Sequence, residues 1–169
     1  VYDPYGHIGT PATRGLYRPI GINRNCQLAV LQIRPYVDEQ HRALQWIALG
    51  SNAFNALVPF FTQVDEVPAY VSSTPKDVTT DSFYWANRLI GAMADASYSA
   101  CLPHVERYQE KLQSEATRLV HACDAEGGDP AAANQAIADA ARKRTDCLLG
   151  HVLFTRSAEM KNGFSRSDN

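Results

Sequence analysis

Three guanidiniums (Arg14, Arg18, Arg24) and four side-chain amides (Asn23, Asn25, Asn52, Asn55) crowd the ends of two short apolar runs in this chain. Guanidinium is a rigid fork of donors that matches a carboxylate, and Asn is an uncharged donor suited to an amide oxygen. A peptide-like ligand needs both, one for a charged terminus and one for a neutral carbonyl. Gly50-Ser51-Asn52 follows the second run and brings a hydroxyl and an amide to that end. The alternative is an ordinary turn in which Asn satisfies backbone groups, and Asn55 reads more readily in that way.

Tyr84 and Arg88 stand four apart and share a helix face that can meet a cleft. Aromatic residues at helical spacing are core first, however, and the group Tyr84, Trp85, Asn87 and Arg88 is read so. Cys147 and His151 have the four-residue spacing that can chelate zinc, but with no second pair nearby they read as packing. His7, His41, His104 and His121 lack ligand spacing, and there is no Ser-His-Asp set or glycine-rich phosphate loop. Neither a metal nor a nucleotide cofactor is expected.

The elements that must carry these groups follow from the pattern. Val1 to Gly15 holds Pro4, Gly6, Gly9, Pro11 and Gly15, so it reads as an extended surface loop. Leu28–Arg34 and Leu44–Gly50 read as strands joined by the polar turn Pro35–Arg42, which makes an antiparallel hairpin. Ala56–Phe61 and Ala69–Val71 read as further strand segments that Pro59 and Pro68 push to an edge or a bulge. From Thr79 the period becomes helical. Thr80 or Asp81 caps a helix with Phe83, Ala86, Ile90, Met93, Ser97 and Cys101 on one stripe, broken at Leu102-Pro103. Val105, Tyr108, Leu112, Leu119 and Cys123 trace a second helix, ended by Gly127-Gly128. Asp129-Pro130 opens a third that runs to about Met160, with Gly150 as a weak point. The fold class is α+β, a β-rich part over 1–78 and helices over 79–160 that cover a sheet face.

With 169 residues and 45% hydrophobic composition the chain builds one core, so residues 1–169 read as a single domain. A net charge of −2 gives no basic surface for nucleic acid and no polybasic run for anionic lipid, and no apolar run approaches the length of a membrane span. Four cysteines (Cys26, Cys101, Cys123, Cys147) lie far apart without a CxxC, which suits reduced thiols in the cytoplasm. The chain begins Val-Tyr-Asp-Pro-Tyr-Gly, without Met or a signal-like apolar region. It therefore reads as part of a longer polypeptide.

The segments YRPIGINRN, WIALGSNAFNALVPFF and TTDSFYWANRLIGAMAD, in that order, closely resemble the C-terminal half of the cysteine dipeptidases of the N-terminal-nucleophile (Ntn) hydrolases, the dipeptidase D family related to secernins. The resemblance runs from Tyr2-Asp3-Pro4-Tyr5-Gly6 to Met160–Asp168. It implies a share of the αββα sandwich of that superfamily and hydrolysis of short peptides by an N-terminal cysteine. That residue attacks the amide carbon while its own α-amine manages the proton. Val1 carries no nucleophile and Cys26 lies inside the chain, so the attacking sulfur is expected from outside these residues and this chain alone is expected to be inactive. Arg18, Asn23 and Arg24 match the family's R-P-I-x-x-N-R pattern. Arg18 would then pair with a substrate carboxylate or fix a pocket loop, and Asn23 would donate to an oxyanion or substrate backbone, a contact whose loss costs about 3 kcal/mol of barrier. Tying down loops at strand ends is the structural alternative for Arg18, Asn23 and above all Arg24.

The expected substrate-binding set is Arg18, Asn23, Arg24 and Asn52. The expected partners are the N-terminal part of the same polypeptide, a short peptide substrate and, through an uncovered apolar face, further copies of the chain. Two other functions fit the same residues: a non-catalytic helical assembly module, and a related amidase acting on non-peptide amides.

Overall fold

The computed structural model describes residues 25–160. The expected loop Val1–Gly15 and the candidates Arg14, Arg18, Asn23 and Arg24 lie outside them. Three antiparallel strands, β1 (Gln27–Ile33), β2 (Ala43–Leu49) and β3 (Val58–Phe61), form one sheet in the order β1-β2-β3. They are followed by four helices: α1 (Ala69–Ser72), α2 (Phe83–Asp95), α3 (Tyr98–Glu126) and α4 (Pro130–Ala158).

The hairpin stands where apolar alternation puts it, with Gln27 opposite Leu49 and Ile33 opposite Ala43. A short 3-10 turn, Glu39–His41, fills the connection. β3 is an edge strand, as Pro59 demands, because a proline gives no N–H to a further neighbour. Leu44 is paired with Phe61 and Trp46 with Pro59, so these four share one face. Leu44 and Phe61 are buried there beneath α3 and α4. On the opposite face Leu31 and Ile33 of β1 remain 74% and 67% exposed. One layer of helix on one sheet face is the α+β arrangement expected, and no second layer occurs among the described residues.

Three expectations need correction. Ala69–Val71 is not a strand but the single turn α1. Pro68, with φ −53°, presets its start and accepts from the N–H groups of Val71 and Ser72, while Tyr70 and Val71 are buried, Tyr70 tilted against Phe83. The first long helix also stops earlier than Leu102-Pro103. It ends at Asp95, the chain turns at Ala96-Ser97, and Pro103 lies in the second turn of α3. Ser97 leaves helical geometry at φ −139°, and its hydroxyl is taken by Arg156 and Glu159 at the end of α4. This anchor, supplied from a distant part of the chain, sets the corner that local sequence assigns to proline. The expected cap also moves. Ser82 precedes α2, its hydroxyl donating to the Ser73 carbonyl, while Asp81 pairs with Arg142 of α4.

The other helix ends follow the expected chemistry. Gly127 closes α3 at φ 59°, where a side chain would be strained, and the Gly128 N–H returns to the Cys123 carbonyl at 2.9 Å. Asp129 caps α4 by accepting from Ala131 and Ala132 N–H, with Pro130 in the first turn. The two helices run antiparallel, as pairs Glu115–Arg144 and Ser97–Arg156 require. Cys101, Val105, Tyr108, Leu112, Ala116 and Val120 of α3 meet Ile137, Ala138, Ala141, Leu148 and Val152 of α4 in the core.

Several buried polar groups find partners on distant elements. Arg34 at the end of β1 donates to Asp124 of α3 at 2.5 and 3.1 Å and to the His41 carbonyl. His41, itself buried, donates through Nε2 to the Gly128 carbonyl at 2.9 Å. The carbonyl only accepts, so this proton is on Nε2. Tyr108 of α3 bonds Thr145 of α4 at 3.2 Å and donates to Asn87 of α2 at 3.4 Å. Among the described residues no helix is long and apolar enough to cross a membrane.

Candidate functional site

The β2–β3 turn is built by close approach to α2. Gly50 adopts φ +90°, and a Cβ there would lie 2.7 Å from Asn87 Cβ. A Cβ on Gly91, one turn along α2, would lie 2.8 Å from both Cβ and Oγ of Ser51. Two missing methyl groups thus let the turn rest directly on the helix. Ala53 also occupies the left-handed region, at φ 70°, without the freedom of glycine. Gln109 of α3 holds it, donating through Nε2 to the carbonyls of Ala53 (3.1 Å) and Asn55 (2.7 Å). Phe54 is buried and meets Tyr98 edge to face at 6.0 Å.

This clamped turn forms one wall of a cleft of about 160 Å³, lined by Ser51, Asn52 and Phe54 opposite Arg88, Gly91, Ala92 and Asp95 of α2. Asn52 lines this cavity at the end of β2. Arg88 is not core, as its helical spacing with the aromatics suggests. It is half-buried, and its Nη1 donates to Ser51 Oγ at 3.3 Å. Tyr84 is half-buried as well, and the buried stripe of α2 is Phe83, Ala86, Asn87, Ile90 and Ala94. Among this group only Asn87 is core. The signal that finds Arg88 is the four-residue step from Tyr84, read together with the glycine at position 91.

The start of β1 reaches the same end of the sheet, because the Gly50 N–H donates to the Cys26 carbonyl at 2.9 Å. Tyr84 bonds the Cys26 thiol, and that contact, followed by partial burial, pushes the Tyr84 hydroxyl above its ordinary range. Cys26 is exposed, whereas Cys101 and Cys123 are buried and burial pushes both thiols up. A thiol so placed is a poor nucleophile.

Cys147 and His151 are not packing residues either. Both are exposed in a groove between α3 and α4, where His151 stacks on His104 at 5.0 Å beside Arg107, Lys111 and Arg144. No set of three His, Cys, Asp or Glu residues suited to a metal ion occurs among the described residues.

The fold and the polar cleft at a strand end do not by themselves name a class, and comparison with known proteins supplies the family. The sequence model of peptidase family C69 matches residues 1–111, a span that contains the whole cleft. The chain is 43% identical to "Dipeptidase" of Bifidobacterium longum and 44% identical to "Probable dipeptidase A" of Streptococcus pyogenes serotype M3, in each case over 99% of its length. It is 33% identical to "Dipeptidase A" of Lactobacillus helveticus over 90% of its length. The chain belongs to peptidase family C69, a family of cysteine peptidases. It covers 40%, 37% and 34% of these three relatives, respectively.

Proposed function

We propose that these residues form the substrate-facing C-terminal part of a cytoplasmic cysteine dipeptidase that works by an N-terminal nucleophile. The observation that carries this is the identity of 43–44% to proteins named as dipeptidase and probable dipeptidase, maintained over 99% of the chain. In this reading a cysteine outside these 169 residues attacks the peptide carbonyl, and its α-amine takes the thiol proton. The amine of the second amino acid leaves, and water then cleaves the thioester. Residues 1–169 act as one unit in it. Asn52 reaches the substrate from the turn, and Arg18, Asn23 and Arg24 contribute further substrate contacts. The interior position of Cys26 and the burial of Cys101 and Cys123 favour a sulfur from elsewhere.

The apolar face carrying Leu31 and Ile33 supports a partner within the same polypeptide, since isolated soluble domains rarely leave such a strand bare. The scattered cysteines suit a reducing compartment.

The test is hydrolysis by the intact enzyme of dipeptides and of acyl amino acids, with and without thiol alkylation. Release of free amino acids from dipeptides, abolished by alkylation, is expected. Cleavage of acyl amino acids alone would replace the dipeptidase by an amidase, and activity that survives alkylation would remove the cysteine mechanism.

A further inference from the structure

We infer that the cleft between the Ser51–Phe54 turn and α2 measures short peptides by their two charged ends, with Arg88 taking the terminal carboxylate and Asp95 the terminal ammonium. This rests on the peptidase reading above and assigns the substrate class to that same site.

The cleft is lined by one cation and one anion, Arg88 and Asp95, seven residues apart on α2. They are two helical turns apart, so they lie on one face, with the small residues Gly91 and Ala92 between them. Neither forms an ion pair with a described residue, in contrast to Arg34, Arg142, Arg144 and Arg156, each of which holds a carboxylate. Arg88 gives a single hydrogen bond, to the neutral Ser51 hydroxyl, which leaves most of its fork for another acceptor. Two opposite charges on an open floor, each without a counterion among the described residues, suit a zwitterion. Ser51 and Asn52 on the facing wall provide a hydroxyl and an amide for the peptide group in the middle.

The spacing favours the shortest peptide. Seven residues of helix separate the two positions by about 10.5 Å. With charged heads spaced as their backbone positions are, one hydrogen bond of about 2.8 Å at each end would leave roughly 5 Å. An extended dipeptide spans about 7 Å and a tripeptide about 10 Å. Arg88 is the longer and more adaptable arm, and the dipeptide is the closer match to that gap.

The test compares kcat/KM of the intact enzyme for one dipeptide with free ends, its C-terminal amide and its N-acetyl derivative. Wild type, Arg88→Met, Arg88→Lys and Asp95→Asn are assayed, each checked for folding by circular dichroism. Each cap should lower wild-type kcat/KM by about ten- to a hundredfold, mostly through KM, as expected for loss of a charged hydrogen bond. In Arg88→Met the penalty for amidation should vanish while that for acetylation remains. Asp95→Asn should show the reverse, and Arg88→Lys should restore part of the amidation penalty. Penalties that all variants share with wild type overturn the assignment of the cleft and leave the peptidase standing. A wild-type enzyme that cleaves no peptide overturns both. Should Arg88→Met fail to fold, Arg88→Lys and the exposed Asp95→Asn decide the matter by the same comparison.

Discussion

Asn134 of α4 makes with Phe61 the two hydrogen bonds that a fourth strand would make. Its Oδ1 accepts from the Phe61 N–H at 2.9 Å, and its Nδ2 donates to the Phe61 carbonyl at 3.0 Å. The edge of β3 is thereby closed by a side chain, and the long helix is fixed to the sheet at a defined height.

Replacing Asn134 by Ala should cost about 2–4 kcal/mol, because two buried backbone groups lose their partners together. Asn134→Asp keeps the acceptor but sets a carboxylate against the Phe61 carbonyl, so it should be at least as harmful. Urea unfolding is the measurement, with an unchanged m value marking a true loss of stability.

Arg34 and Asp124 form an ion pair with side chains only 4% and 13% exposed. Asp124→Ala alone should destabilise by about 3–5 kcal/mol, since it strands a buried guanidinium. Arg34→Met combined with Asp124→Leu should recover much of that loss. A double-mutant cycle in denaturant reads the coupling, and independent, additive effects would refute it.

The turn offers a pair of opposite expectations. Gly91→Ala places a methyl 2.8 Å from Ser51, which should displace the turn, cost about 1–3 kcal/mol and raise KM for peptides. Ala53→Gly relieves the left-handed backbone at an exposed residue and should stabilise by up to about 1 kcal/mol with activity retained. Melting temperatures and steady-state kinetics on the two variants distinguish a clamped turn from a loose one.

Alkaline stability should depend on Tyr70, whose hydroxyl burial pushes up to about 12 from an unfolded value of 10.0. The folded state favours the protonated phenol, so its contribution is fully present below the unfolded pKa. It is lost as pH rises from about 10 through about 12, with a total on the order of 2 kcal/mol. Tyr108 shifts in the same direction for the same reason, burial first, and adds to the decline. Tyr70→Phe should flatten the fall in denaturant midpoint over that window, and an identical profile would contradict the assignment.

Much of the fold is legible because it is locally encoded. The hairpin follows from apolar runs and a polar turn, the end of α3 from Gly127, and the start of α4 from Asp129-Pro130. What is illegible depends on distant residues. The corner at Ser97 is set by Arg156 and Glu159, about sixty positions away in the chain. The three residues of α1 expected as strand become helix because Tyr70 finds Phe83 and Pro68 fixes the first turn. The site divides in the same way. Asn52 is visible at a strand end, but periodicity assigns Arg88 to the interior, and only the absent side chain of Gly91 admits the cavity that it lines. Cys147 and His151 show the converse, because a helical step does not distinguish a packed face from a solvated one.

The turn at 50–55 is gripped from two sides, by the backbone of α2 beneath and by Gln109 of α3 above, and it has no slack. An inserted residue there would unseat both helices at once. Variation at this end of the fold is therefore expected in the side chains along the rim, with loop length held constant.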